Sequence, residues 1–366
     1  CNYKIAAIYT SIDNHKKAIN YYKKSLAIKN NYKVNIALGM SYQKVKKYKN
    51  AIEIYELLLK EDSGNLIITY QLGKLYFTIN NLNKASEIFT RLSKRDLKNP
   101  NYYYQLGLIS ARKLDGNGML DNFLKAYEID RTHIKSVYQL AKTFTALKKR
   151  DSARLFTEKG LQLNSLHVNF NKLRINELFR SEKYHKAIAR LKTLDSLVPN
   201  ELYTKKMLGR SYFNIDSLDK AEINFLSAKK IDKEDFKVLT YLGHIEKSRK
   251  KYFRAQYNYF RATTAGKELR HEEYYSLGLL YLEMKQPKKA IAMFKKSIEE
   301  SNRYSKVQYQ LALTSDSFYK DKNIAYTLYE RYINRFEFKD KDVTAFVKKR
   351  MKEIKRTLFI NREKLE

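Results

Sequence analysis

Apolar residues in this chain fall into short blocks with the i, i+4, i+7 spacing of one helix face, and the blocks recur from end to end. A small residue marks the register. Alanine stands at Ala18, Ala51, Ala85, Ala153, Ala187, Ala221, Ala255, Ala290 and Ala325, with Met119 in the one missing place, a period of roughly 34 residues. Four residues beyond it comes a large side chain, as at Tyr22, Tyr55, Phe89, Phe123, Phe225, Tyr259, Phe294 and Tyr329. Before it comes a Leu-Gly or Leu-Ala pair: Leu38-Gly39, Leu72-Gly73, Leu106-Gly107, Leu140-Ala141, Leu208-Gly209, Leu242-Gly243, Leu277-Gly278 and Leu311-Ala312. Polar breakers lie between, among them Lys46-Lys47, Asn80-Asn81, Asp115-Gly116-Asn117-Gly118 and Asp216-Ser217. Each unit therefore reads helix, turn, helix.

A glycine inside a helix costs about 1 kcal/mol relative to alanine. Its repeated use at one register position predicts a neighbouring helix too close for a larger side chain. Ten such units start near residues 1, 32, 66, 100, 134, 168, 202, 236, 270 and 304. A unit that buries its apolar face only against its neighbours favours an extended binding surface over a single catalytic pocket. With 11 Gly, 3 Pro and no Ser-rich or Pro-rich linker, nothing in the sequence marks an interior boundary.

Leu208, Gly209, Tyr212, Ala221, Phe225 and Ala228 resemble the tetratricopeptide repeat position by position. The resemblance implies an all-α fold, a right-handed α-solenoid of about ten helical hairpins, expected over residues 1–336. Departures are local: Arg174-Ile175 replaces Leu-Gly, and Ser110 and Met119 replace an aromatic and an alanine, so those two units are expected to pack less regularly. From 337 to 366, Val343, Phe346, Met351, Ile354 and Leu358 trace an amphipathic capping helix that runs into a basic tail.

In the family, set positions on each first helix line a concave groove. Carried onto this chain they give partner-binding candidates Tyr70, Lys74, Tyr104, Arg112, Tyr138, Lys142, Lys172, Asn176, Arg180, Lys206, Arg210 and Lys237. Phe77, Lys135, Phe179, Tyr203, Phe213 and His244 join them, making a basic and aromatic lining without Asp or Glu. Further on, Glu272, Tyr275, Leu279, Leu282, Glu283, Tyr309 and Asp316 grade the lining toward acid. A family subset that clamps chaperone C-terminal carboxylates uses Lys and Asn, then Asn, then Lys and Arg. Lys172 and Asn176 fit the first pair, but Met207 and Tyr241 occupy places that need Asn and Arg.

The 73 Lys and Arg against 39 Asp and Glu leave a net charge of +34, which favours acidic partners. A+T-biased coding would also enrich Lys, Asn, Ile and Tyr. No Arg-rich tract, zinc-ligand spacing or RNA-recognition aromatic motif is present, so no specific nucleic acid is expected. The partner expected is a protein or peptide with an acidic segment. The alternative is a charge-driven binder of nucleic acid or an anionic membrane surface.

Catalytic signatures are missing. There is no phosphate-cradling Gly-rich loop, H-E-x-x-H pair or Gly-x-Ser-x-Gly elbow. His15, His133, His167, His185, His244 and His271 lie far apart, and carboxylate pairs such as Glu272-Glu273 and Glu299-Glu300 read as solvent-facing charge. No enzymatic activity, cofactor or metal is expected. The single cysteine, Cys1, is a lipidation candidate, since a bacterial lipoprotein is cleaved just before the cysteine that is acylated. On that reading the chain resembles outer-membrane tetratricopeptide lipoproteins, which implies an adaptor on the periplasmic side of a bacterial outer membrane, within an assembly or secretion complex. A fragment edge and a cytoplasmic location are the alternative.

Overall fold

The computed structural model describes residues 1–265 and 270–363. Among these residues every regular element is a helix. Helix α1 (Asn2–Ser11) pairs with α2 (His15–Ile28), α3 (Tyr32–Lys44) with α4 (Tyr48–Glu61), and α5 (Leu66–Thr78) with α6 (Leu82–Arg95). Next, α7 (Pro100–Arg112) pairs with α8 (Gly116–Ile129) and α9 (Ile134–Ala146) with α10 (Arg150–Leu163). After α11 (Val168–Arg180) and α12 (Tyr184–Leu197) come α13 (Leu202–Asn214) with α14 (Leu218–Ile231) and α15 (Phe236–Ser248) with α16 (Tyr252–Thr264). The last pairs are α17 (His271–Glu283) with α18 (Pro287–Glu300) and α19 (Ser305–Phe318) with α20 (Lys322–Phe336), followed by α21 (Lys341–Glu363). First helices begin within one residue of the starts expected from the alanine register. The chain forms two compact units, Cys1–Arg174 and Ile175–Glu366, the boundary falling inside α11.

The turn inside each of the first nine hairpins is built the same way from unrelated residues. Asp13, Lys46, Asn80, Leu114, Lys148, Glu182, Asp216, Lys250 and Lys285 all sit in the left-handed region, with φ between 56° and 64°. In the first turn the Asp13 N–H donates to the Thr10 carbonyl and the Asn14 N–H to the Tyr9 carbonyl, the paired bonds of a Schellman cap. Second helices then start from a side-chain cap where the sequence offers one: Asn81 accepts from the Lys84 N–H at 3.3 Å and Asp115 from the Gly118 N–H at 2.9 Å. The Gly116–Gly118 stretch, expected as a breaker, is instead the first turn of α8, because the Asp115 cap lets the helix begin at Gly116. In the last hairpin the left-handed residue is missing, and the Lys322 ammonium donates to the Asp316 and Tyr319 carbonyls instead.

Close approach of the two helices explains the glycine register. A Cβ built on Gly39 would lie 2.5 Å from the Tyr55 ring, on Gly73 2.9 Å from Phe89, on Gly209 2.7 Å from Phe225 and on Gly243 2.5 Å from Tyr259. The glycine costs about 1 kcal/mol of helix propensity, whereas burying each ring is worth about 2–3 kcal/mol, so the exchange favours the hairpin. Eight of the periodic alanines have no solvent exposure, while Ala153 and Met119 are half-buried. In the unit with Arg174-Ile175 the bulk has changed sides: Ile175 replaces glycine and Leu191 replaces the ring, both fully buried. Gly160 makes a second accommodation, because its Cβ position is 2.2 Å from the ring of Phe170 on α11.

The amphipathic pattern after residue 337 does form a helix on the last hairpin. Val347 and Ile354 of α21 are buried with Ala325, Tyr329, Tyr332 and Phe336. The expected basic tail ends in residues 364–366, which lie outside the described residues.

Two outcomes test this packing. Gly243→Val should cost about 1–3 kcal/mol in chemical denaturation, and Gly243→Val with Tyr259→Leu, which copies the Ile175 and Leu191 arrangement, should recover a large part of it. Leu114 is 92 % exposed in a left-handed conformation, so Leu114→Gly should stabilise the protein by about 0.5–1 kcal/mol by the same measurement.

Candidate partner-binding face

The candidate residues sit on first helices, and the structure separates their aromatic members from their basic ones. In the first unit Tyr70 of α5 is half-buried between Phe89, 5.6 Å away edge-on, and Tyr102 at 6.0 Å, and its hydroxyl accepts from Gln105 Nε2 at 3.2 Å. Tyr104 packs against Phe123 and against His133, while Tyr138 meets Phe170 edge-on at 5.6 Å. Each tyrosine thus joins its own hairpin to the next and presents only part of its ring to solvent. Lys74, Arg112, Lys135 and Lys142 are exposed. Arg112 lies over Phe77, 3.9 Å from the ring centre, and donates to the Phe77 carbonyl at 2.6 Å. Lys172 is half-buried on α11.

In the second unit Asn176, Arg180 and Phe179 also lie on α11. The Tyr203 hydroxyl donates to Asn176 Oδ1 at 3.0 Å, and burial pushes this phenol well above its ordinary range. Arg210 stacks 4.5 Å over Phe179. Lys206, expected as a groove cation, is instead ion-paired to Asp235, the residue that caps α15. Lys237 and Arg180 remain exposed. Phe213, Tyr241 and Phe225 form a continuous run of rings, with 5.3 Å and 4.9 Å between centres, and His244 closes it by sharing a 2.7 Å hydrogen bond with the Tyr259 hydroxyl. Packed among rings and away from water, His244 has its pKa pushed down to about 4, with Lys247 adding to the effect.

The acidic end of the lining is spent within the chain. Glu283 pairs with Lys247 at 2.8 Å. Burial alone would push the Asp316 carboxyl up, yet Arg350, at 2.7 Å and 3.2 Å, and Lys322 more than offset it and hold it below the usual range. Arg350 comes from α21, and Phe346 of the same helix lies edge-on to Tyr309 at 6.1 Å. The capping helix therefore covers Tyr309 and Asp316, which the register places among the groove positions. Glu273 is a second correction. It is buried, not solvent-facing: it accepts from the Thr240 hydroxyl at 3.3 Å and its pKa is raised by burial. Tyr275 is half-buried against Phe294, Leu279 and Leu282 pack in the same cluster, and Glu272 is exposed.

Two features escaped the sequence reading. Asp235 carries the signature of an N-cap, three residues before Val238, whose N–H it receives, and that signal would have exposed the Lys206 pairing. The outward stripe of Phe253, Tyr257 and Phe260 on α16 has helical spacing but lies outside the buried register. Among the described residues no group of His, Cys, Asp or Glu could hold a metal ion, and no helix is long and apolar enough to cross a membrane. Cys1 is exposed and unbridged at the start of α1.

A fold of stacked helical hairpins with this contact scheme defines an α-solenoid repeat protein. The sequence profile described as tetratricopeptide repeat matches residues 42–107, and a second profile of the same description matches 1–32 and 274–304. These segments of the chain are tetratricopeptide repeats. In fold it is similar to yeast Tom70, with 13 % identity, a TM-score of 0.50, and coverage of 98 % of this chain and 96 % of that one. It is also similar to the Cut9–Hcn1 hetero-tetramer of the APC/C, with 12 % identity, a TM-score of 0.52, and coverage of 96 % and 89 %. No curated protein matches the sequence.

The environment of His244 has a pH consequence. An unfolded chain takes up the proton near the ordinary pKa of about 6.5, but the native state only near about 4, so acidification through that window favours unfolding. His244→Gln should remove roughly 2 kcal/mol of the stability lost between about pH 7 and pH 5, read as the difference between denaturation curves of the two proteins.

Proposed function

We propose that the chain is a non-enzymatic scaffold that captures acidic, aromatic-containing protein segments on the first-helix face of each of its two units. The observation that carries this reading is the pairing of exposed cations with half-buried rings. Lys74 lies 5.9 Å from the Tyr70 ring centre and Lys237 5.5 Å from that of Phe236, and both ammonium groups face solvent. Tyrosine and arginine concentrate binding energy because they bury large areas while keeping a polar handle, and the surrounding Lys and Arg select for carboxylates. Rings fixed by their own packing lose little freedom when a partner covers them. The repeat fold supports the same reading, since Cut9, which it resembles, occurs in a hetero-tetramer with Hcn1.

The test uses an array of Asp- and Glu-rich peptides with and without Tyr or Phe, with fluorescence polarisation on the full chain for the best binder. Lys74→Glu, Lys142→Glu and Lys237→Glu together replace exposed side chains, so helicity should be unchanged while affinity falls by about tenfold or more. Binding that survives the triple change would remove the face from consideration. Affinity that collapses with salt to the same extent with or without Tyr and Phe in the peptide would favour charge-driven binding instead.

A further inference from the structure

A second surface of different chemistry lies on the second helices of the unit Ile175–Glu366. Helix α16 buries Ala255, Tyr259 and Ala262 and leaves Phe253 at 81 %, Tyr257 at 56 % and Phe260 at 60 % exposure. These three positions share one helix face, about 60° wide at 100° per residue. The stripe does not end at α16. Arg249, the C-cap of α15 in the turn that leads into α16, bonds Asp219 at 2.5 Å and Glu222 at 2.7 Å near the start of α14, and Arg261, near the end of α16, pairs with Glu234 just beyond α14. The start of α14 is thus tied to the α15–α16 turn, and the residue just after its end is tied to α16 itself. Ile223 and Leu226 of α14, also exposed, occupy the register positions equivalent to Tyr257 and Phe260.

The charge around this apolar stripe is one-sided. Asp219, Glu222 and Glu234 are consumed by the two arginines, while Asp216 and Asp232 lie beyond the ends of α14. Among the described residues no carboxylate lies within ion-pair distance of Lys229, Lys230, Lys250, Lys251 or Arg254. Lys250, Lys251 and Arg254 surround a shallow depression against Phe253, completed by Tyr252 and Met284. A second copy of the chain would bring like charge to like charge. The three rings stand on one helix face, 56 to 81 % exposed, beside cations that have no counter-ion among the described residues. Aromatic rings flanked by lysine and arginine suit the headgroup region of a bilayer, where the ring body enters the acyl boundary and the cations meet lipid phosphate.

We propose that the α14–α16 face docks the protein on an anionic membrane surface, with Phe253, Tyr257 and Phe260 inserted and Lys250, Lys251 and Arg254 receiving a lipid headgroup. This inference does not depend on the proposed capture of a peptide, which uses α5, α9 and α15. The chain has no tryptophan, so Phe260→Trp gives a single reporter at the stripe and Leu114→Trp an exposed control in the other unit.

The experiment titrates the full chain with vesicles of phosphatidylcholine alone and of phosphatidylcholine mixed with phosphatidylserine. It follows tryptophan emission and co-sedimentation. Emission from position 260 should shift to the blue only with the anionic vesicles, and emission from position 114 should stay unchanged. Phe253→Gln, Tyr257→Gln and Phe260→Gln together, made in the native background, should weaken co-sedimentation by about tenfold or more while leaving helicity and acidic-peptide affinity unchanged. Equal binding by the triple variant, or a shift at 114 equal to that at 260, would overturn the proposal in favour of diffuse attraction. Self-association in light scattering that the triple variant dissolves would overturn it in favour of a second copy, and undiminished binding to neutral vesicles would remove the role of charge.

Discussion

The contact between a helix backbone without a side chain and a ring sixteen residues on governs how these hairpins are built. Two helices approach closely only where one surrenders its Cβ, and the partner ring then fills the space and pins the angle between them. Everything else in the repeat follows that distance. The buried alanine four residues before the ring keeps the second helix close along its length, and the ring also packs against a first-helix tyrosine of the same hairpin, as Phe89 does with Tyr70 and Phe123 with Tyr104. A constraint this local can be met in more than one way, and Ile175 with Leu191 meets it by shifting volume from one helix to the other.

Hairpin number, register and helix starts were legible in the sequence because each depends on residues within one period, where spacing is a direct record of geometry. Turn positions were legible too, but the Gly116–Gly118 stretch was not, since composition pointed to a break and the Asp115 carboxylate settled a helix there. The partner-binding face was only half legible. Register places Lys206, Glu283 and Asp316 on that face, yet their charge is decided by Asp235, Lys247 and Arg350, residues 29, 36 and 34 positions away. A period reports which side of a helix a residue occupies and is silent on which counter-ion a neighbouring unit brings to it. Glu273 shows the same limit from inside, an acid buried by contact with Thr240 of the preceding hairpin.

The two proposed surfaces divide the labour between the two helices of a hairpin. First helices carry rings that are half-covered beside exposed cations such as Lys74, Lys142 and Lys237, a combination suited to a selective partner. The α14 and α16 pair carries exposed rings and aliphatic side chains beside acids already paired with arginine, a combination suited to a soft and weakly selective phase. Because the two sets of side chains occur on different helices, changes to one surface leave the packing of the other intact.

The bond from Arg350 to Asp316 ties the last helix to the hairpin before it by charge as well as by apolar contact. Without α21, Tyr332 and Phe336 would be uncovered and the Asp316 carboxylate would be left with Lys322 as its counter-ion. Apolar cover and charge neutralisation at this hairpin are therefore one dependency, carried by a single helix.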